Sequence, residues 1–177
     1  ADASYIQQAW DTSTSVFNRV VGRNLGLIKF ATPGVTSTAV QQSGKAYAEA
    51  KNHQYRYEAP ANILTEDDAL ALVNDTLGRS DMAVMTFPSY AYVTDPNDVG
   101  EGKRKLVSTT GMIHGREARF AADYNGYHKA EAGEDAILPG ILDITTGETV
   151  LDEERLNPAG IGVIKKAKGN YVIWGDR

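Results

Sequence analysis

The sequence predicts an α/β fold: a layered fold with a mainly parallel or mixed sheet flanked by helices, plus a β-hairpin. Segments whose apolar residues recur at three- and four-residue steps, which is helical spacing, alternate with short apolar runs. The connections between them are only a few residues long, and this order is typical of βαβ units. At 177 residues the chain is long enough for one such domain, so we expect a single α/β domain over residues 1–177.

The first third of the chain predicts two helix–strand pairs. Apolar spacing favours a first helix that Gly22 ends, and the apolar run after it is stopped by Thr32-Pro33-Gly34, as a buried strand would be. A second helix then leads to a segment that alternates in polarity as a strand does. The predicted bounds are 6–21 and 39–52 for the helices and 25–31 and 54–58 for the strands.

The clearest helix signal lies between Thr65 and Gly78. Thr65 can cap the helix with Asp68 three positions on, and acidic residues in the first turn suit the positive end of the helix dipole. Gly78 is a plausible end for this helix. The apolar run over residues 82–88 then predicts another buried strand, which completes a third helix–strand pair.

The second half of the chain is less regular. Residues 94–105 are rich in turn-forming and charged residues, so we expect an exposed, mobile loop excursion there. One helix and two hairpins are predicted after it. The predicted bounds are 108 or 109 to about 124 for the helix, 142–151 for a hairpin about Thr146-Gly147, and 159–177 for two strands about a basic turn.

Composition excludes several classes of protein. No apolar run approaches the roughly 20 residues that a membrane-spanning helix needs, so we expect no membrane insertion. The chain has no cysteine, which removes disulfides, thiolate metal sites and cysteine nucleophiles. A net charge of -5 argues against direct binding of nucleic acid, which requires lysine and arginine to neutralise phosphates.

The charge is unevenly distributed along the sequence. Residues 129–155 contain eight acids, whereas three lysines, Lys165, Lys166 and Lys168, cluster in the predicted basic turn. Such segregation can help identical subunits meet in a fixed register. The alternative is an ordinary solvated surface, and the sequence leaves both interpretations open.

None of the motifs that carry chemistry is complete. A phosphate loop ending at Lys103 lacks its first glycine and has Arg104 where Ser or Thr must bind magnesium. A calcium loop starting at Asp95 has Leu106 where its bidentate Glu belongs, and no serine lies in a nucleophile elbow. His114 and Glu117 are one helical turn apart and could hold a metal, but a hydrogen bond on the helix surface is the commoner use of such a pair. We therefore predict no catalytic, cofactor-binding or metal-binding residue, and no enzyme.

Three stretches resemble the contractile bacteriophage tail sheath proteins. The run from Leu156-Asn157-Pro158 to Trp174-Gly175-Asp176-Arg177 is similar to the family's LNPxGIN segment followed by WGxRTL. Residues 67–88 resemble its helix and buried strand ending in proline. The middle stretch resembles the pattern SGxxAGxxARxDxxxGxxKAPA, and its matching residues are Gly111, Gly115, Ala118, Arg119, Asp123, Gly126, Lys129 and Ala130.

The chain departs from these family patterns at several positions. Ala121 stands where the family usually has aspartate, and Glu131 replaces the proline of KAPA. Gly162 stands where asparagine is usual, and Asp176 lies within the WGxR motif. The resemblance therefore implies a divergent member, of the kind expected from a large-genome phage.

The resemblance implies a structural subunit with no cofactor. Sheath subunits assemble as helically stacked hexameric rings around the tail tube, and their contraction drives the tube through the host envelope. The implied partners are copies of the chain itself, the tail tube protein, the baseplate and the tail terminator. The implied location is the virion tail, assembled in the host cytoplasm. In this family the chain termini extend into neighbouring subunits and complete a shared sheet.

The ends of the chain suggest an internal fragment. Ala1 and Arg177 look like cut edges of a longer protein, and we expect a protease-resistant portion that stays monomeric because it lacks the connecting arms. We also expect residues 95–105 and 131–135 to lie on the sheath exterior or between subunits.

Two alternatives to a phage sheath remain at this stage. The chain could be the sheath of a pyocin-like or secretion-type contractile injection system. It could also be a small α/β enzyme or ligand-binding domain, because parallel sheets bind ligands at the carboxyl ends of their strands. The second alternative needs titratable residues just after Phe30 and Phe87, where the sequence offers only Ser89 and Tyr90.

Overall fold

The computed structural model describes residues 3–11, 15, 18–19, 27–97, 102–124, 132–148 and 150–175. In chain order, its elements are α1 (Ala3–Asp11), β1 (Lys29–Ala31), α2 (Thr38–Lys51), β2 (Gln54–Glu58), α3 (Glu66–Ala71) continued by a π-helical turn (Leu72–Leu77), β3 (Ala83–Phe87), β4 (Tyr90–Thr94), β5 (Arg104–Ser108), α4 (Thr109–Asp123), β6 (Ile141–Ile144), α5 (Glu153–Leu156) continued by a 3₁₀ turn (Asn157–Ala159), β7 (Ile161–Ala167) and β8 (Asn170–Trp174).

The main sheet has five strands in the order β1-β2-β3-β7-β8. The first four are parallel to their neighbours, and β8 is antiparallel to β7. The turn between β7 and β8 has positive φ at both Lys168 and Gly169, as a two-residue hairpin turn of type I′ requires. These observations confirm the predicted α/β fold with a mixed sheet and the predicted terminal hairpin.

An aromatic core fills one face of this sheet, beneath α2 and α3. Phe30 of β1 and Tyr55 of β2 stack with their ring centroids 5.0 Å apart, and Trp10 of α1 packs against Phe30. A Cβ atom at Gly44 of α2 would lie 2.8 Å from Cζ of Tyr55, so the close approach of helix to sheet requires glycine there.

The helix α4 covers the opposite face of the sheet. Its Ile113 is buried in a second apolar cluster with residues of β7 and β8, namely Ile164, Tyr171 and Ile173. Residues 133–138 run along the outer edge of β8, where Leu138 N–H donates to the Tyr171 carbonyl at 2.8 Å. The molecule therefore has three layers, with helices on both faces of the main sheet.

The helix predicted between Thr65 and Gly78 is confirmed in detail. The Thr65 side chain accepts the Asp68 N–H at 3.2 Å, which is the predicted cap. Gly78 follows the π-helical turn with a φ of 74°, and its N–H donates to the Val73 carbonyl. The helices predicted over 39–52 and from 109 are also present, as α2 and α4, and β2 and β3 occupy the predicted strands.

The first predicted helix and strand are only partly within the described residues. The helix predicted over 6–21 corresponds to α1 up to Asp11, and residues 12–14, 16–17 and 20–26, with Gly22, lie outside the described residues. The strand predicted over 25–31 is limited to Lys29–Ala31. Its partner β2 begins only at Gln54, which pairs with Lys29, so Leu27 and Ile28 have no strand residue opposite them.

Two expectations for the second half require correction. Thr94, Arg104 and Lys105, predicted to lie in a loop, belong to strands β4 and β5, which pair with each other antiparallel. The loop is therefore shorter than predicted, although its described residues are mostly exposed. Charged residues indicated a loop, but they are equally common on an edge strand, where β5 lies.

The hairpin predicted over residues 142–151 is wrong. β6 pairs antiparallel with β4, and a second sheet in the order β5-β4-β6 results. The Gly147 N–H donates to the carbonyl of Leu64 at 2.9 Å, so the chain leaves β6 towards the start of α3 instead of turning back along the strand.

Candidate functional site

Four side chains form a charge cluster between the main sheet and α4: Lys29, Arg56, His114 and Glu117. Arg56 alternates with the core tyrosines of β2 and therefore points to the opposite face, towards α4. Glu117 Oε1 accepts hydrogen bonds from Lys29 Nζ at 3.1 Å and from an Arg56 Nη at 2.9 Å. Glu117 Oε2 lies 2.7 Å from His114 Nδ1, so one carboxylate joins β1, β2 and α4.

The charge cluster is buried and rich in cations. The Arg56 and Glu117 side chains are 6% and 3% exposed. Burial acts to raise the pKa of Glu117, but the His114 hydrogen bond and the charges of Arg56 and Lys29 outweigh it and hold that pKa well below its usual range. Glu117 is thus ionised at neutral pH, and its negative charge balances the positive charges of Lys29 on β1 and Arg56 on β2.

The structure corrects the expectation for His114 and Glu117. Their hydrogen bond is present, but Glu117 is buried beneath the helix and does not lie on its surface. Both carboxylate oxygens already have donors from three side chains, and the nearby cations would repel a metal ion. The sequence signal that could have located this site is Arg56, a cation between two tyrosines that are both buried.

A second buried polar group, centred on Glu58, lies at the carboxyl ends of the central strands. Glu58, at the end of β2, is fully buried and accepts hydrogen bonds from the Gly34 N–H at 3.0 Å and from the Ser108 hydroxyl. Burial raises the pKa of Glu58, against the lowering effect of hydrogen bonds from Ser108, Gly34, Thr110 and Tyr90. Glu58 thereby joins the main sheet to the start of α4 and to the three-stranded sheet.

Ser89 and Tyr90 are the two residues that a ligand-binding alternative would need. The Ser89 hydroxyl accepts the Ala59 N–H at 2.7 Å and donates to the Thr86 carbonyl at 2.5 Å. Tyr90 is the first residue of β4, and its side chain is hydrogen-bonded to Glu58. Both side chains therefore hold the turn between the two sheets in place, and Ser89 itself is buried.

An open groove of about 650 Å³ is lined by residues of β6, of the segment after it, and of β7 and β8. Aromatic residues of β8 and aliphatic residues of differing exposure line it together with acids and lysines. Its lining residues are Glu134, Asp143, Ile144, Thr146, Glu148, Val150, Leu151, Glu153, Lys165, Lys166, Ala167, Tyr171 and Trp174.

The acidic stretch and the basic turn meet at this groove. Lys165 Nζ is 2.6 Å from Glu153 and lies 3.7 Å from the centroid of the Trp174 ring. Lys168 Nζ lies 2.5 Å from Glu134. The two segregated charge regions of the sequence therefore pair in part within one chain, an arrangement that neither interpretation of the sequence included.

The two halves of the terminal sequence motif are in contact. Gly175 has a φ of 75°, and a Cβ atom there would lie 2.2 Å from the amide of Asn157. Only glycine allows the chain after β8 to approach Asn157 this closely. The LNP and WG segments of the resemblance are thus neighbours in the fold, while Asp176 and Arg177 lie outside the described residues.

The middle stretch of the resemblance is less informative. Gly111 faces Pro33 at an ordinary contact distance, and nothing lies within 4 Å of a Cβ atom at Gly115, so Gly115 allows no close approach of a neighbouring element. Gly126, Lys129 and Ala130 lie outside the described residues.

Trp10 packs in the aromatic core, and Trp174 lies half-buried at the groove.

Within the described part of the chain, no group of three or more His, Asp or Glu side chains is placed to hold a metal ion. None of the described helices is long and apolar enough to cross a bilayer. Neither the models of known protein families nor the curated proteins include a match to this chain.

Proposed function

We propose that this chain is a structural subunit of a contractile phage tail sheath. In this role it assembles with copies of itself in helically stacked hexameric rings around the tail tube protein, between the baseplate and the tail terminator. The contraction of these rings drives the tube through the host envelope. The protein acts in the virion tail, after assembly in the host cytoplasm, without a cofactor and without catalysis.

The observation that carries the proposal is the contact between Asn157 and Gly175. These residues belong to the two segments that resemble the sheath motif, and they lie 18 positions apart in the sequence, counted as 175 minus 157. Their close packing gives a physical reason for both segments to occur together, because a Cβ atom at position 175 would clash with the Asn157 amide in its present position.

The internal use of the polar side chains also supports a structural role. Glu58, Ser89 and Glu117 are three of the buried polar groups that would attract attention in an enzyme. Each makes hydrogen bonds that join one layer or sheet to another. We assign these groups to the stability of the subunit.

Immunogold labelling of contractile particles tests the proposal. We expect an antibody raised against the purified chain to label particles from the source of this sequence along the whole tail, both extended and contracted. Pre-immune serum serves as the control. Absence of gold from the tail, or gold confined to one end of it, would contradict the assignment. Labelled particles without a DNA-filled head would instead indicate a pyocin-like or secretion-type system.

A further inference from the structure

The three-stranded sheet has two open edges of different chemistry. β5 and β6 lie on opposite sides of β4, and no described strand pairs with the outer edge of either one. An exposed strand edge presents backbone donors and acceptors that can pair with another chain. The groove of about 650 Å³ is lined by Asp143 and Ile144 of β6 and by residues of β7 and β8, and no residue of β4 lines it.

The β5 edge is basic and partly apolar. Arg104 and Lys105 are exposed, and no salt bridge of either is found within the part of the chain that the structure describes. Leu106, the next residue, is 42% exposed. Asp95, on the other arm of this hairpin, follows β4, and its N–H donates to the Lys103 carbonyl.

The β6 edge and its groove are acidic and partly apolar. Asp143 of β6 is exposed, and its Oδ1 accepts the Tyr171 hydroxyl at 3.2 Å and the Ile144 N–H at 3.0 Å. Of the four acids that line the groove, Glu153 pairs with Lys165 and Glu134 with Lys168, which leaves Asp143 and Glu148 against Lys166. Leu142 of β6 is 47% exposed, and Val150 at the groove is 82% exposed. Each edge therefore offers an exposed leucine beside charges of opposite sign.

We propose that β5 of one copy docks in the groove of a second copy, against β6. One copy cannot make this contact with itself, because the antiparallel ladder holds its own β5 and β6 about 10 Å apart on opposite sides of β4. The contact joins two different surfaces, so it repeats from copy to copy and builds rings or helices instead of closed pairs. It uses internal strands rather than the chain termini. This inference rests on the proposed function in one respect, namely that copies of this chain associate.

Disulfide trapping tests the contact, because the native chain has no cysteine. The contact between two short strands is small and therefore weak, so a covalent trap is preferable to a binding measurement. We expect a mixture of Leu106→Cys and Leu142→Cys proteins to form a mixed disulfide dimer under mild oxidation. Leu27→Cys, equally exposed at 49% but on neither edge, is the matched control and should trap at background level with either protein.

Charge reversal identifies the groups responsible. Arg104→Glu with Lys105→Glu in the Leu106→Cys protein should lower the yield of mixed dimer about fivefold, as expected for the loss of two exposed ion pairs. Asp143→Lys in the Leu142→Cys partner should restore much of it. Near-native thermal unfolding of both variants would show that they remain folded.

Two results would overturn the inference: a mixed-dimer yield no higher than with Leu27→Cys, or a predominance of Leu106→Cys dimers, which would indicate a symmetric contact. The labelling experiment tests the sheath assignment and the trapping experiment tests the contact, so either one can fail without the other. Labelled tails without trapping would leave the sheath assignment in place and reject this contact. Trapping with unlabelled tails would reject the sheath assignment while retaining the contact.

Discussion

At the scale of single residues, the pKa values of two buried glutamates are shifted in opposite directions. Glu117 is surrounded by cations, and the pKa of its carboxyl is lowered despite burial. Glu58 has only neutral hydrogen-bond donors around it, and burial raises its pKa. The difference lies in the partners and not in the depth of burial.

Replacing each glutamate by glutamine should therefore change the pH dependence of stability in opposite directions. The folded-state pKa of Glu117 lies below that of the unfolded chain, about 4.3, so its contribution is complete above that pH and is lost as the pH falls. Glu117→Gln should cost about 3 kcal/mol of unfolding free energy at pH 7, because two cations lose their anion, and progressively less below pH 4.

Glu58→Gln should show the reverse trend. Because the folded-state pKa of Glu58 is raised, its contribution is complete below the unfolded value and is lost as the pH rises through the folded value. Urea denaturation at a series of pH values from about 3 to about 8, a range that spans the pKa of glutamate in the unfolded chain, measures both profiles. Glu154→Gln, at an exposed position, is the control. Parallel profiles for the two buried variants would contradict the assignment of their pKa shifts.

At the scale of elements, the two helices that cover the sheet differ in how closely they approach it. Gly44 of α2 lies against the Tyr55 ring, whereas nothing lies within 4 Å of a Cβ atom at Gly115 of α4. The same substitution should therefore have opposite effects in the two helices.

Gly44→Ala should destabilise the protein and Gly115→Ala should stabilise it. Alanine favours a helix interior over glycine by roughly 1 kcal/mol, which is the gain expected at Gly115. At Gly44 the added methyl displaces a buried ring, and we expect a net loss of about 1–3 kcal/mol. Thermal unfolding of both variants measures the difference, and a stabilising Gly44→Ala would show that α2 can move away from the sheet.

The elements also show what the sequence can predict. The Thr65 cap, the Gly78 end and the buried strand that follows depend on residues close in sequence, and all were predicted. The pairing of β6 could not be predicted, because it depends on Gly147 meeting Leu64 and on a partner strand far away in the sequence. The charge cluster was missed for the same reason, since Lys29 and Glu117 are 88 positions apart.

At the scale of the whole molecule, the final hairpin and the turn before it form one unit. Asn157 precedes β7 and Gly175 follows β8, and their contact closes the end of this hairpin. The acidic stretch joins the same unit through the pairs of Lys165 with Glu153 and Lys168 with Glu134. The region that carries the sheath resemblance is thus fastened to the rest of the subunit on several sides.

Gly175→Ala should loosen this unit more than Gly169→Ala does. Both glycines have positive φ, so alanine at either position costs roughly 1–2 kcal/mol of backbone strain. Only position 175 adds a clash, with Asn157, and Asn157→Ala in the same protein should remove the excess cost. Unfolding free energies of the two single variants and the double variant provide the measurement, and equal costs at both glycines would contradict the proposed packing.

The three hydrogen bonds to the Glu117 carboxylate also resist movement of α4 relative to the sheet. A force applied along α4 reaches β1 and β2 through the same carboxylate that His114 holds in position. The helix cannot slide over the sheet without separating an anion from two cations in a medium that screens them poorly. We therefore expect these two layers to move as one rigid piece when the protein is under load.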